Sequence, residues 1–97
     1  MPHYIVLLNF TDQGIRNVKD TIERSKAFKG ALEKAGAKYV SLYYTLGRHD
    51  IVWIVEAPND KAIASLTLSL GSLGNVRSET LKAFTMDEAA TIIERLQ

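Results

Sequence analysis

Arg48, His49 and Asp50 stand between Gly47 and an apolar run, Ile51-Val52-Trp53-Ile54-Val55, that ends on the carboxylate of Glu56. Histidine titrates near neutrality, so His49 beside Asp50 has the residue types for general acid–base work. Glu56 interrupts an apolar strand, and a carboxylate desolvated there without a partner acquires a raised pKa and can act as a base. His49, Asp50 and Glu56 are therefore the catalytic candidates. Each also has a simpler structural role. Gly47 supplies an unusual backbone angle, and an aspartate at a turn edge accepts nearby amides. His49 at a hairpin tip faces solvent, and Glu56 can meet a cation of a second subunit, for which Arg77 is the candidate mate. The structural role is the more economical account of all three.

Tyr43, Tyr44 and Trp53 have the flat surface needed to line a ligand pocket, and Arg77 adds a charge, so these four are the ligand-binding candidates. Aromatic residues on strands more often serve as core or interface, which is the more economical account of them. No metal or cofactor is expected: His3, His49 and the carboxylates follow no ligand spacing. The pair Gly71 and Gly74 ends a helix, whereas a phosphate cradle opens one. There are no cysteines, which removes disulfides, thiolate metal sites and thiol nucleophiles.

The elements that position these residues follow from periodicity. "YIVLLNF" (4–10) reads as strand 1, and Thr11 and Asp12 can both cap the helix after it. From Ile15, apolar or small residues recur at Val18, Ile22, Ser25, Phe28, Ala31, Leu32 and Ala35, one stripe on a single helix that Gly36 stops. Strand 2 is "KYVSLYYTL" (38–46), and strand 3 runs from Ile51 to Ala57 before Pro58 ends the ladder. Asn59 or Asp60 caps a second helix with the stripe Ala62, Ile63, Leu66, Leu70 and Leu73. Strand 4, "NVRSETLKAF" (75–84), is polar and so an edge. Thr85 and Glu88 form a capping box for a C-terminal helix with Ala89, Ile92, Ile93 and Leu96 facing inward. The order β-α-β-β-α-β plus a helix is the ferredoxin-like α+β arrangement, a four-stranded antiparallel sheet with both long helices on one face.

At 97 residues the chain is one domain. A folded chain of this mass exposes roughly 5,500 Å². Formal charge is +1 from 12 basic and 11 acidic residues, and the lysines and arginines of the first helix are interspersed with acids, a solvated face with no nucleic-acid footprint. The start Met1-Pro2-His3-Tyr4 has no charged lead or cleavage site, and the apolar stretches are too short for a bilayer. A soluble, cytoplasmic protein that binds neither nucleic acid nor membrane is the expectation.

A sheet covered on one face should alternate apolar and polar residues. Strands 1 and 3 are apolar on both parities. A four-residue loop, Gly47 to Asp50, would pair Leu46 with Ile51 and place Val40, Leu42, Tyr44, Leu46, Ile51, Trp53, Val55 and Ala57 beneath the helices. Tyr39, Ser41, Tyr43, Thr45, Val52, Ile54 and Glu56 then face away. Left bare, that side exposes an apolar patch of order 600–900 Å². A second copy packing sheet on sheet, a homodimer forming an eight-stranded α+β barrel, is the predicted cover.

Three segments, "NFTDQG", "TLGRHDIVWIVEAPND" and "GNVRSETLKAF", resemble in order and spacing the GYD-domain family of small dimeric α+β-barrel proteins. The resemblance spans the whole chain. Gly47 and Asp50 match the Gly-x-Tyr-Asp turn of that family, and His49 stands at its tyrosine position. The resemblance implies a ferredoxin-like subunit and self-association, and no established reaction. Two classes of function follow. One is a non-catalytic homo-oligomeric module that binds a small molecule or a protein. The other is a cofactor-independent enzyme, an isomerase or monooxygenase on a small aromatic or lactone-like substrate, which requires an enclosed pocket holding two or more of His49, Asp50, Tyr44 and Glu56 within hydrogen-bond reach.

Overall fold

A computed structural model describes residues 1–97. In chain order the elements are β1 (His3–Phe10), α1 (Asp12–Arg16), a 3-10 turn (Val18–Asp20), α2 (Thr21–Lys34), β2 (Lys38–Tyr44), β3 (Ile51–Glu56), α3 (Asp60–Ser72), β4 (Val76–Ala83) and α4 (Met86–Glu94). The strands form one sheet in the order β2-β3-β1-β4, antiparallel throughout. This is the ferredoxin-like α+β fold.

The local signals behave as chemistry requires. Thr11 accepts from the amide of Gly14, Asn59 from that of Ala62, and Thr85 and Glu88 close a reciprocal capping box. Gly36, at φ +83°, carries the left-handed turn that ends α2. Tyr4, Val6 and Leu8 of β1, with Ile51, Trp53 and Val55 of β3, form the floor of the core under Leu32 of α2 and Ile63 and Leu66 of α3.

Three expectations are corrected. The first helix is not continuous. At Asn17 the backbone leaves the helical region, and its amide and side-chain Nδ2 both donate to the carbonyl of Gln13. An asparagine that satisfies the last carbonyls of a helix stops it as a cap does. The stripe is therefore cut, and Ile15, Val18 and Ile22 are exposed.

The strand 2–3 hairpin is shorter and kinked. Tyr44, not Leu46, pairs with Ile51, and Leu46 lies fully exposed in the connecting loop. The shift is two residues, so Leu42, Tyr44 and Trp53 keep their face. A bulge at Val40 then flips the rest of β2: Tyr39 pairs with Val55 and packs on the core, while Val40 is exposed. One extra residue exchanges the two faces of everything beyond it.

The C-terminal helix does not face its own core. No residue of α4 is buried, and Ile92, Ile93 and Leu96 are exposed. The helix face of the sheet is already occupied by α2 and α3. The first turn of α4 instead meets the opposite face, where Glu88 Oε1 lies 4.0 Å from His3 Nδ1.

The other face of the sheet carries no helix of its own. Ile5, Leu7, Val52 and Ile54 form its apolar centre, flanked by Tyr43 and Leu81. The molecule measures 51 × 31 × 19 Å with a radius of gyration of 14.6 Å, against about 12.5 Å for a compact chain of this length. Its accessible surface is 6698 Å², about a fifth above that of a typical monomer of its mass. No helix is long and apolar enough to cross a membrane.

Candidate functional site

The Gly47–Asp50 corner is held by hydrogen bonds to β1. Asp50 extends the ladder: its amide donates to the Leu8 carbonyl at 2.9 Å, and its Oδ2 accepts the amide of Phe10 at 2.9 Å. Asn9 Nδ2 donates to the Arg48 carbonyl at 2.6 Å, and Asn9 Oδ1 lies 2.9 Å from His49 Nδ1. A carbonyl can only accept, so the amide end of Asn9 must face Arg48 and its oxygen must face His49. That oxygen also only accepts, which assigns the proton to Nδ1 of the neutral imidazole and leaves Nε2 as its basic atom. Thr45 Oγ1 closes the loop by donating to the His49 carbonyl at 2.6 Å.

Glu56 sits at the far end of the open face, because β1 pairs His3 with Glu56 and Asn9 with Arg77. Six residues of strand separate those positions, about 20 Å. Within the chain its cations are His3, with Nε2 at 3.8 Å, and Lys38, with Nζ at 3.8 Å, and not Arg77. Lys38 reaches it only because of the bulge at Val40. Pairs of this length with Lys38 largely in solvent add little stability.

The four ligand-binding candidates are divided by the sheet. Tyr43 and Tyr44 are neighbours on one strand and so point to opposite sides. Tyr43 (59% exposed) and Arg77 lie on the open face. Tyr44 and Trp53 lie under the helices, where Tyr44 Oη is 2.8 Å from Ser25 Oγ and 3.2 Å from Thr21 Oγ1. No two of the side chains of His49, Asp50, Tyr44 and Glu56 are joined by a hydrogen bond; each side chain is held by a different partner.

Trp53 instead floors a cleft of about 480 Å³ between α2 and α3. Its ring meets Phe28 at 5.2 Å between centroids, tilted by 55°. Arg24, which the sequence places on a solvated helix face, lines the same cleft, with Nη1 donating to the carbonyl of Asn17 at 2.9 Å. The Asn17 carbonyl at the helix break accepts both this guanidinium and, at 3.1 Å, the amide of Asp20.

The GYD domain family matches residues 4–93. The chain is a GYD-domain protein. A relative from Thermus thermophilus, named "Glutamine synthetase and cystathionine beta-lyase binding protein", is 37% identical over 98 residues, with 100% of both chains covered. The GYD corner of this chain, with histidine at position 49, is thus pinned to β1 through Asn9 and Asp50.

The most perturbed ionisable groups of this GYD domain lie outside the corner. Tyr4 is buried, and burial followed by its hydrogen bond to Asp60 pushes its phenol up to about 12. Asp60 accepts from Tyr4 Oη at 2.5 Å and pairs with Lys82 Nζ at 3.0 Å, and these partners, Tyr4 first, hold its carboxyl below the usual range. Glu88 is likewise lowered, chiefly by the Thr85 amide of the capping box. The signs give the pH dependence. Asp60 and Glu88 are depressed, so their contribution is present above the ordinary carboxylate pKa and is lost as pH falls below about 4. Tyr4 is raised, so its contribution is complete below pH 10 and is lost as pH rises from 10 through about 12. Tyr4→Phe is expected to lower the melting temperature and raise the Asp60 pKa towards its ordinary value, read by carboxyl NMR titration. An unmoved Asp60 resonance midpoint would contradict the bond.

Sequence reasoning passed over Asn9, Arg24 and the Tyr4–Asp60 pair. Asn9 had a visible signal, a polar side chain inside "YIVLLNF". Arg24 had none, because its setting depends on the helix break.

Proposed function

We propose that this protein is a non-catalytic module that self-associates through its open sheet face and binds metabolic enzymes, glutamine synthetase and cystathionine beta-lyase being the first candidates. The single observation that carries the partner is the full-length relative, which is named for binding those two enzymes. Self-association is supported by physical deficits of the single chain. Only 13 of 97 residues are buried, and the open face and α4 both present apolar side chains to water. Contiguous exposed apolar surface is what interfaces cover. Because Glu88 of α4 adjoins His3 on the open face, both surfaces belong to one patch that a second copy can cover. A homodimer, or a higher assembly built from it, then presents the helical outer layers to the enzymes.

The test is capture. Tagged protein incubated with purified glutamine synthetase and with purified cystathionine beta-lyase of the source organism is expected to retain at least one of them at micromolar concentration. Retention of neither by folded, assembled protein would remove the partner assignment while leaving the self-association to be judged by its own experiment.

A further inference from the structure

We infer that the cleft between α2 and α3 binds a small carboxylate with an apolar body, its anionic end held by Arg24 and by the indole N–H of Trp53. The site is on the helix side of the sheet and is independent of the self-association and enzyme binding proposed above.

Two buried donors there lack acceptors. Trp53 is 4% exposed, and its Nε1 has no hydrogen-bond partner. Arg24 Nη2 is likewise buried without a partner, although Nη1 is fixed on the Asn17 carbonyl. Buried polar groups are nearly always paired, so two orphans on residues that line one cavity call for an explanation. Indole and guanidinium groups only donate. Neither can satisfy the other, and what pairs them must bring acceptors.

The remaining lining defines the ligand further. Arg24 is the one charged residue of the sixteen around the cleft, and no carboxylate is among them. An anion is therefore favoured over a neutral acceptor, since an ionised oxygen gives the stronger bond to a guanidinium. Ten of the sixteen are hydrophobic, more than an inorganic ion would need. Leu8, Leu42, Ile51 and Leu70, with the tilted Phe28–Trp53 pair, are suited to an alkyl chain or an aryl ring. A volume of about 480 Å³ falls in the range of small-molecule sites, roughly 300–1,000 Å³.

Trp53 is the sole tryptophan beside four tyrosines, so emission excited selectively from tryptophan reports on this cleft. Titration of the intact protein with octanoate and with 3-phenylpropionate is expected to change the emission saturably for at least one, the preference distinguishing an alkyl from an aryl body. Octanol, with a similar chain and no charge, is expected to bind at least about tenfold more weakly than octanoate. Arg24→Met is expected to abolish that difference. Arg24→Gln, which retains a donor for Asn17, repeats the comparison if the methionine variant does not fold. Ala31→Phe, at an exposed lining position, is expected to fill the cleft and suppress binding of both carboxylates. No saturable change at millimolar carboxylate, octanol binding as tightly as octanoate, or unchanged octanoate affinity in the folded Arg24 variant each overturns the proposal.

Discussion

Ile54→Lys is expected to yield a folded protein that sediments as a single chain of 10.8 kDa, where the unaltered protein is expected to sediment as a dimer or larger. Ile54 pairs with Ile5 across β1 and β3, at the apolar centre of the open face. The core lies on the other side of the sheet, so an ammonium at this position leaves Tyr4, Val6, Val55 and Leu32 undisturbed. In an assembled pair it would be taken out of water at the apolar centre of the interface, at a cost of several kcal/mol per ion. A two-fold interface contains the substitution twice. Association should therefore weaken by a factor of at least about a thousand, since each 1.4 kcal/mol is tenfold. His49→Ala is the control: it alters the corner, which is held through Asn9, and should leave assembly intact. Velocity sedimentation with far-ultraviolet circular dichroism reads both. An unchanged sedimentation coefficient for folded Ile54→Lys would place the interface elsewhere. A wild-type protein that is itself monomeric in dilute buffer would remove the assembly altogether.

Gly14→Ala is expected to be the most destabilising single-methyl change in the chain. Inside a helix, glycine to alanine ordinarily gains about 0.5–1 kcal/mol. Here the added Cβ would lie 1.9 Å from the carbonyl oxygen of Asn75 and 2.8 Å from its carbon. Both are backbone atoms and cannot rotate away. The close approach belongs to a clasp between two turns. Thr11 donates its amide to the Asn75 carbonyl at 3.1 Å and its hydroxyl to the Gly74 carbonyl at 2.5 Å. Gln13 Nε2 donates to the Leu73 carbonyl and to Asn75 Oδ1, each at 3.1 Å. Separating the strands of that clasp loses several hydrogen bonds, so the clash outweighs the helix gain and a net loss of about 3 kcal/mol is expected. At 4–8 °C per kcal/mol for a domain of this size, the melting temperature should fall by roughly 12–24 °C. Gly30→Ala, in the interior of α2 with open space around the new methyl, should move it the other way by a few degrees. A Gly14→Ala melting temperature within a few degrees of wild type would contradict the clasp.

The clasp shows how legible the site was in the sequence. "NFTDQG" and "GNVRSETLKAF" are separate segments of the chain, yet Thr11, Gln13 and Gly14 of the first meet Gly74 and Asn75 of the second. Pattern reading identified both segments and could not join them, because the hydrogen bonds that do so span about sixty residues. The corner followed the same course. Gly47 and Asp50 were readable as turn residues, whereas the anchor that orients His49, Asn9, is on another strand. His49, Asp50 and Glu56 were grouped by sequence proximity, and the sheet sends them to different partners.

By itself the sequence determined the order of the strands and helices, the capping box at Thr85, the other two caps to within one residue (Thr11 or Asp12, Asn59 or Asp60), the glycine stop at Gly36, and the double-sided apolar character of β1 and β3. These are properties of three to seven adjacent residues, governed by helix and strand periodicity and by side chains that bond their own backbone. Only the tertiary structure decided that Asn17 divides the first helix, that a bulge at Val40 exchanges Tyr39 and Lys38 between faces, that α4 leaves its own core, and that Arg24 turns into a cleft over Trp53. Apart from the Asn17 break, which local bonds to the Gln13 carbonyl close, each depends on which distant group fills a space or accepts a proton, and no local spacing encodes it.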